Sequence, residues 1–288
     1  MKFQQIRYLY LVILALIWGS SFILIKRGLI GLSPLQVAPL RIIFAAVFLI
    51  CIGFKNLPLI PFSQWKYIAL TALLGTFVPA FLFAIAQTEI DSSVSSILNS
   101  LTPVNTLLIG SLAFGYQFKR AQILGVIGGL LGTAVLIFNG LLNHPEQNYY
   151  YAILLVIATL CYATNVNLIN KYLTNLSPLT ISVGNFIVLL LPAVILLFLT
   201  GFLQQVHEVE TQTSVFFIMI LGVFGTGIAN IIFFKIIQIS NPVFATSVTY
   251  LIPIVAFFWG ILDKEVLTFF QIIGACIIFL GVYLSSKK

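Results

Sequence analysis

Charge is what this chain has least of: Asp, Glu, Lys and Arg make up 7% of its 288 residues, while hydrophobic residues make up 60%. A soluble domain of this size needs far more polar surface, so that class is excluded. Histidine is scarce as well. His144 and His207 fall in expected loops, so no membrane imidazole stands ready to activate Ser20 or Ser21. With no zinc motif and no paired aspartates either, an intramembrane enzyme is disfavoured, and no metal or cofactor is expected. Cys51, Cys161 and Cys276 all lie within apolar runs. They are expected as buried packing thiols, not as a disulfide framework. No ring of charges or filter-like loop appears, which argues against a channel. No acid lies deep in any apolar run, so the titratable group of a proton-coupled carrier and the carboxylate of a lipophilic-cation exporter are both missing from view. Coupling, if any, falls to Glu89 and Asp91; otherwise facilitated diffusion or exchange is the simplest expectation.

What is present is a series of apolar runs, each near the ~20 residues that a ~30 Å hydrocarbon core requires. They are read near 8–27, 35–54, 66–86, 92–114, 121–140, 150–171, 178–200, 214–236, 242–262 and 267–285. The expectation is an all-α integral membrane protein with ten transmembrane helices. The net charge of +7 is scattered at helix ends, which excludes a nucleic-acid patch and reports topology instead. With a cytoplasmic N-terminus, ten basic residues, among them Lys2, Arg7, Lys119, Arg120, Lys171 and Lys235, fall on the inner side, and Lys26, Arg27 and Lys264 fall outside. Both termini are then cytoplasmic. No cleavable signal peptide is evident, because the first run continues to Ile25 without a small-residue cleavage site. The short loops suit a bacterial plasma (inner) membrane.

The chain also repeats itself. Leu32-Ser33-Pro34-Leu35 returns 144 positions later as Leu176-Ser177-Pro178-Leu179. Leu74-Gly75-Thr76 returns 150 positions later as Phe224-Gly225-Thr226, and Pro103 as Pro253. Gln122-Ile123-Leu124-Gly125 returns after 149 as Gln271-Ile272-Ile273-Gly274. Two units result, 1–140 and 150–288, joined by a linker at 141–149. Each holds five spans, an odd number, so the second enters the membrane from the opposite side. Inverted repeats of this kind belong to secondary transporters that rock about a site near the midplane.

One stretch concentrates polarity. In Ser92 to Phe114, the residues Ser92, Ser95, Ser96, Asn99, Thr102, Pro103 and Thr106 share a helical stripe, while Val94, Ile97, Leu98 and Leu101 cover much of the rest. Such a stripe is either a helix–helix seam or a wall facing a ligand. Its relative, Pro242 to Leu262, carries Thr246, Thr249, Tyr250 and Pro253 where the first copy has Ser96, Asn99, Ser100 and Pro103. Two polar, proline-interrupted helices in matching positions point to a binding site between Asn99–Pro103 and Thr249–Pro253. Pro103 and Pro253 are the expected hinges, with Pro79 and Pro192 as further candidates.

Arg41 is the basic residue set well within a span, roughly 9 Å from its outer end at 1.5 Å per residue. It either reaches outward and caps carbonyls, or offers its guanidinium to a substrate carboxylate. Asn99, Asn165, Asn167, Asn185 and Asn230 each need a partner inside the membrane. Interhelical bonds explain any one of them; as a group they suit a zwitterion or neutral polar metabolite. Trp18, Tyr162 and Tyr250 serve as core packing or cavity lining. Ser21 and Thr76 complete the candidate substrate-binding set of Trp18, Ser21, Arg41, Thr76, Asn99, Tyr162, Asn165, Asn230, Thr249 and Tyr250.

The chain resembles the EamA-like members of the drug/metabolite transporter superfamily. The resemblance rests on Leu16-Ile17-Trp18-Gly19-Ser20-Ser21-Phe22, on Pro39-Leu40-Arg41, on Tyr250-Leu251-Ile252-Pro253 and on Trp259 to Glu265, followed by Gln271 to Gly274. It implies an inverted five-plus-five bundle that moves small metabolites, often by export of amino acids or their derivatives. Two positions depart from the pattern: Tyr116 stands where Glu265 has its counterpart, and Asn185 where Arg41 has its own. The expectation is therefore an exporter of small polar metabolites whose partners are a small-molecule substrate and the lipid bilayer. A non-transporting scaffold or a lipid scramblase is the alternative, and oligomeric state is left open.

Overall fold

The computed structural model describes residues 3–115, 148–265 and 268–286, with eight further positions between 124 and 138. Every regular element among them is helical. Eight segments are long and apolar enough to cross a membrane: Ile6–Gly28, Pro34–Leu59, Phe62–Ala86, Ser92–Phe114, Tyr149–Tyr172, Pro178–Leu199, Val209–Ile239 and Pro242–Leu262. The helix Phe269–Ser286 follows as the tenth span, and the described positions between 124 and 138 are helical. Most of the expected fifth span lies outside the described residues, as do Tyr116, the Gln122 and Gly125 end of the fourth repeat landmark, Gly129, and the linker up to Pro145-Glu146-Gln147.

The duplicated Leu-Ser-Pro-Leu motif is a helix start in both copies. Ser33 and Ser177 hold extended backbone (ψ 158° and 153°), and the proline that follows opens the helix where its missing N–H costs nothing. Ser177 Oγ accepts from Thr180 N at 3.1 Å, while Ser33 N donates to Gln36 Oε1 at 2.9 Å. The eighth span begins at Val209, earlier than its hydropathy predicts. Its polar first turns are docked on the loop after the first span: Thr211 Oγ1 donates to Gly31 O, and Ser214 Oγ accepts from Gly31 N at 3.0 Å. Their hydrogen bonds are met by protein, so the helix continues into a stretch that reads as loop.

Contacts between the halves come in exchanged pairs, as a two-fold relation demands. The first span packs on the ninth as the sixth packs on the fourth; the first packs on the eighth as the sixth packs on the third. The second and seventh spans pack on each other most extensively, and the fourth meets the ninth, each pair exchanging with itself. The fourth span is central. Every residue from Ser92 to Leu107 is buried, so its apolar stripe of Val94, Ile97, Leu98 and Leu101 packs in the core as fully as its polar one. The cysteines are a correction: Cys51 and Cys276 are exposed on the helix exterior and Cys161 is partly so. Lipid is as apolar as a protein core, so a small thiol has no need of burial there.

Candidate functional site

The site begins with four local departures from the α-helix, paired across the repeats. In the third span Leu73–Phe77 widens to a π-helix, and Leu221–Ile228 does the same in the eighth. In the fourth span the helix Ser92–Asn99 stops and restarts at Thr102; in the ninth, Pro242–Thr246 tightens through Ser247–Tyr250 and restarts at Ile252. The breaks have a common cause. Pro103 and Pro253 have no N–H for the carbonyls of Asn99 and Thr249, four residues earlier. Each freed carbonyl finds a hydroxyl instead: Thr102 Oγ1 donates to Asn99 O at 2.7 Å, and Ser100 Oγ crosses between the repeats to donate to Thr249 O at 2.8 Å. Pro192, by contrast, sits in unbroken helix.

Between these four departures lies a cavity lined by residues of both repeats. Of the candidate residues, Trp18, Ser21, Arg41, Thr76, Asn99, Tyr162, Asn165, Asn230 and Thr249 line it. Tyr250 is not on the lining and packs against the core beside it. The lining also holds Thr102, Thr226, Thr246, Phe83 and Phe233, which are outside the candidate substrate-binding set. The repeat carries the signal for most of them: Thr226 lies 150 positions after Thr76, Phe233 after Phe83, and Thr246 after Ser96. The same spacing logic pairs Trp18 with Tyr162 and Ser21 with Asn165, each 144 apart.

The π-helix of the eighth span is held both from the first span and from within. Trp18 Nε1 donates to Gly225 O at 3.0 Å, and Thr226 Oγ1 donates to Leu221 O at 3.2 Å. Glycine is needed at the two matching positions. A Cβ on Gly75 would lie within 3 Å of the Asn165 amide, and one on Gly225 within 3 Å of Ser21 Oγ.

The five intramembrane amides divide. Asn99, Asn165 and Asn230 line the cavity. Asn167 ties the sixth span to the fourth through Thr106 O at 3.0 Å. Asn185, with its amide nitrogen toward the third span, donates to Thr71 Oγ1 at 3.0 Å and Ile68 O at 3.1 Å. Among the described residues Arg41 caps no carbonyl. Its Nε donates to Thr226 Oγ1 at 2.6 Å, and no carboxylate pairs with it among the described residues.

The end of the bundle where the first span finishes is tied by charge. Lys26 Nζ bridges Asp263 (2.6 Å) and Glu265 (2.9 Å), and Arg27 pairs with Asp263. Glu265 in turn accepts from Ser92 N at 3.2 Å, Ser93 N at 3.1 Å and Ser93 Oγ at 2.6 Å. Its carboxylate thus caps the orphan N–H groups at the start of the fourth span and complements the positive end of that helix. Glu89 and Asp91, the acids singled out at this mouth for a coupling role, form none of these ion pairs.

The model of the EamA-like transporter family matches residues 5–138 and again residues 150–287. The chain is similar to an uncharacterized transporter, YoaV, of Bacillus subtilis (strain 168), with 24% identity over 276 residues, covering 94% of this chain and 93% of that one. It is also similar to a probable amino-acid metabolite efflux pump of Escherichia coli (strain K12), 25% identical over 281 residues and covering 95% and 92% of the two chains. A solved crystal structure shares the fold at 15% identity, with a TM-score of 0.66 over 98% of this chain and 97% of that one.

Proposed function

The chain belongs to the EamA-like transporter family, and from that premise we propose that it carries small polar metabolites, amino acids or their derivatives, outward by alternating access at the central cavity. The observation that carries the reading is the construction of that cavity. Both repeats contribute a π-helix and a proline-broken helix to it, so a change in the angle between the halves alters the site from both sides at once. Proline breaks and π-helices are also the points at which membrane helices bend. The neutral amides and hydroxyls of the wall suit a ligand that is bound and then released.

With both termini in the cytoplasm, the Lys26–Glu265 cluster lies at the outer mouth. The arrangement then has its outer ends of the first, fourth and ninth spans clamped together, and transport requires that clamp to open. The similarity to a probable amino-acid metabolite efflux pump supports the choice of substrate class and direction. Two experiments test the proposal. Overexpression followed by a screen of the medium is expected to show one or more accumulated metabolites, and purified protein in liposomes is expected to carry those hits with saturable kinetics. Flux is expected to fall when Asn99 or Thr249 is replaced by Ala; unchanged flux in both variants contradicts the placement of the site.

A further inference from the structure

The end of the bundle opposite the Lys26 cluster holds its cations differently. Tyr67, at the start of the third span, stacks face to face on Tyr172, at the end of the sixth, with ring centroids 4.0 Å apart and planes 6° from parallel. Lys66 Nζ stands over Tyr67, 4.9 Å from the ring centroid. Lys171 Nζ stands 5.3 Å from the centroids of both Tyr172 and Phe114, the last residue of the fourth span. Three spans thus bring two ammonium groups to one cluster of rings, and both lysines are exposed. Neither pairs with a carboxylate among the described residues. The described acids are out of reach: the spans alternate in direction, which puts Glu89, Asp91, Glu208, Glu210, Asp263 and Glu265 at the other end.

The loop before the third span sets the depth of this cluster. Its short turns, Phe54–Leu59 and Phe62–Gln64, are anchored by the buried Ile60 and by Gln64, whose Nε2 donates to Tyr172 O at 3.0 Å and to Asn175 Oδ1 at 2.7 Å. Phe54, Leu59 and Phe62 are left pointing outward, Phe62 at 95% exposure. Apolar side chains beside tyrosines and lysines at span ends belong at the boundary between acyl chains and headgroups. The related loop of the second repeat, at the opposite end, carries Glu208 and Glu210 and no Lys or Arg between 200 and 210. We infer that the seam between the third and sixth spans binds anionic phospholipid, with phosphates on the ammonium groups of Lys66 and Lys171 and the apolar loop among the acyl chains. A tyrosine face attracts a cation without neutralising it, so both lysines keep a full charge for the headgroup. A zwitterionic headgroup brings an ammonium of its own to a region with no acid to receive it, and is disfavoured.

The test uses the purified full-length protein in detergent, with bound lipid read by native mass spectrometry and stability by melting temperature. The probes are phosphatidylglycerol, phosphatidylcholine and inorganic phosphate. Phosphatidylglycerol is expected to stay bound and to raise the melting temperature, because it joins the third span to the sixth; phosphatidylcholine at the same concentration is expected to bind more weakly. Lys66→Gln and Lys171→Gln are each expected to weaken phosphatidylglycerol about fivefold, the scale of one lysine beside an anionic surface, and to leave phosphatidylcholine unchanged. Lys235→Gln is the control. That lysine is exposed late in the eighth span, at the same end of the bundle, and stands over no ring among the described residues. Its loss is expected to leave both lipids bound as in the native protein. Equal binding of the two lipids overturns the inference. An equal loss in Lys235→Gln overturns it as well, since net charge alone would then attract the lipid. So does inorganic phosphate that raises the melting temperature as far as phosphatidylglycerol does, because the ligand is then a free anion. Metabolite flux is read separately, so each of these results leaves the transport reading standing.

Discussion

The two repeats share their backbone devices and differ in where they place charge. Each half supplies one π-helix built on Gly-Thr and one helix broken ahead of a proline, at positions 150 residues apart. The first half then sets Arg41 against Thr226 of the second, whereas the second sets the neutral Asn185 against Thr71 of the first. The same contrast holds at the mouths. The fourth span is capped by the distant carboxylate of Glu265, which also holds Lys26; the ninth is capped by its own Asn241, whose Oδ1 accepts from Phe244 N at 2.8 Å. In the sequence the counterpart of Glu265 is Tyr116. The repeats thus share their helix breaks and differ in polarity: among the described residues ion pairs tie the Lys26 mouth, while the ninth span starts on the neutral cap of Asn241. On the proposed alternating-access reading, unequal clamps favour one closed state over the other, here closure at the Lys26 mouth.

The largest expected effect breaks that contrast directly. Glu265 has a side chain only 3% exposed, and its loss takes one of two carboxylates from Lys26 and leaves the Ser92 and Ser93 N–H groups unmet. Glu265→Ala is expected to cost on the order of 3 kcal/mol, seen as a lowered melting temperature of the purified protein. Asn241→Ala, at the neutral mouth, is expected to cost about 1 kcal/mol. Equal losses would mean that the clamps are equivalent. The next effect sharpens what the halves share. Gly75→Ala and Gly225→Ala each press a methyl into a side chain of the opposite half, with an expected cost of roughly 1–3 kcal/mol. The planar Asn165 amide has less room to yield than the Ser21 hydroxyl, so Gly75→Ala is expected to be the worse of the two in melting temperature and in flux. The smallest concerns the freed carbonyls. Ser100→Ala uncovers Thr249 O and Thr102→Ala uncovers Asn99 O, each for about 1 kcal/mol, read by thermal unfolding.

Much of this was legible in the residues because membrane sequences are constrained twice, by length and by the need to satisfy every backbone group. Pro103 and Pro253 announced their breaks, and the repeat brought their segments together. Tyr250 escaped for a specific reason: it closes the tightened turn Ser247–Tyr250, where three residues per turn in place of 3.6 rotate it off the stripe that carries Thr246 and Thr249 to the cavity. Glu265 was visible as part of a family pattern, but its role depends on Ser92 and Ser93, more than 170 positions away, and on a mouth that only the packed bundle assembles. The start of the eighth span was hidden for the same reason, since the turn before Ser214, Thr211 within it, reads as loop until Gly31 is placed beside it. The division among the asparagines follows the candidate set: Asn99, Asn165 and Asn230 line the cavity, and Asn167 and Asn185 tie helices together. Asn165 and Asn167 are two positions apart, yet one lines the cavity and the other holds the fourth span.

The central claim is that both halves build one site through which the substrate passes. The direct test is saturable flux in liposomes of a metabolite found in the overexpression screen, measured for Asn99→Leu and Asn230→Leu, one change from each repeat. Each leucine removes an amide from the cavity wall and leaves the helix ties of Asn167 and Asn185 in place. Flux is expected to fall at least about tenfold in both variants, on the scale of a lost buried hydrogen bond, while melting temperatures stay near that of the native protein. Native flux in either variant would contradict a site shared by the two halves.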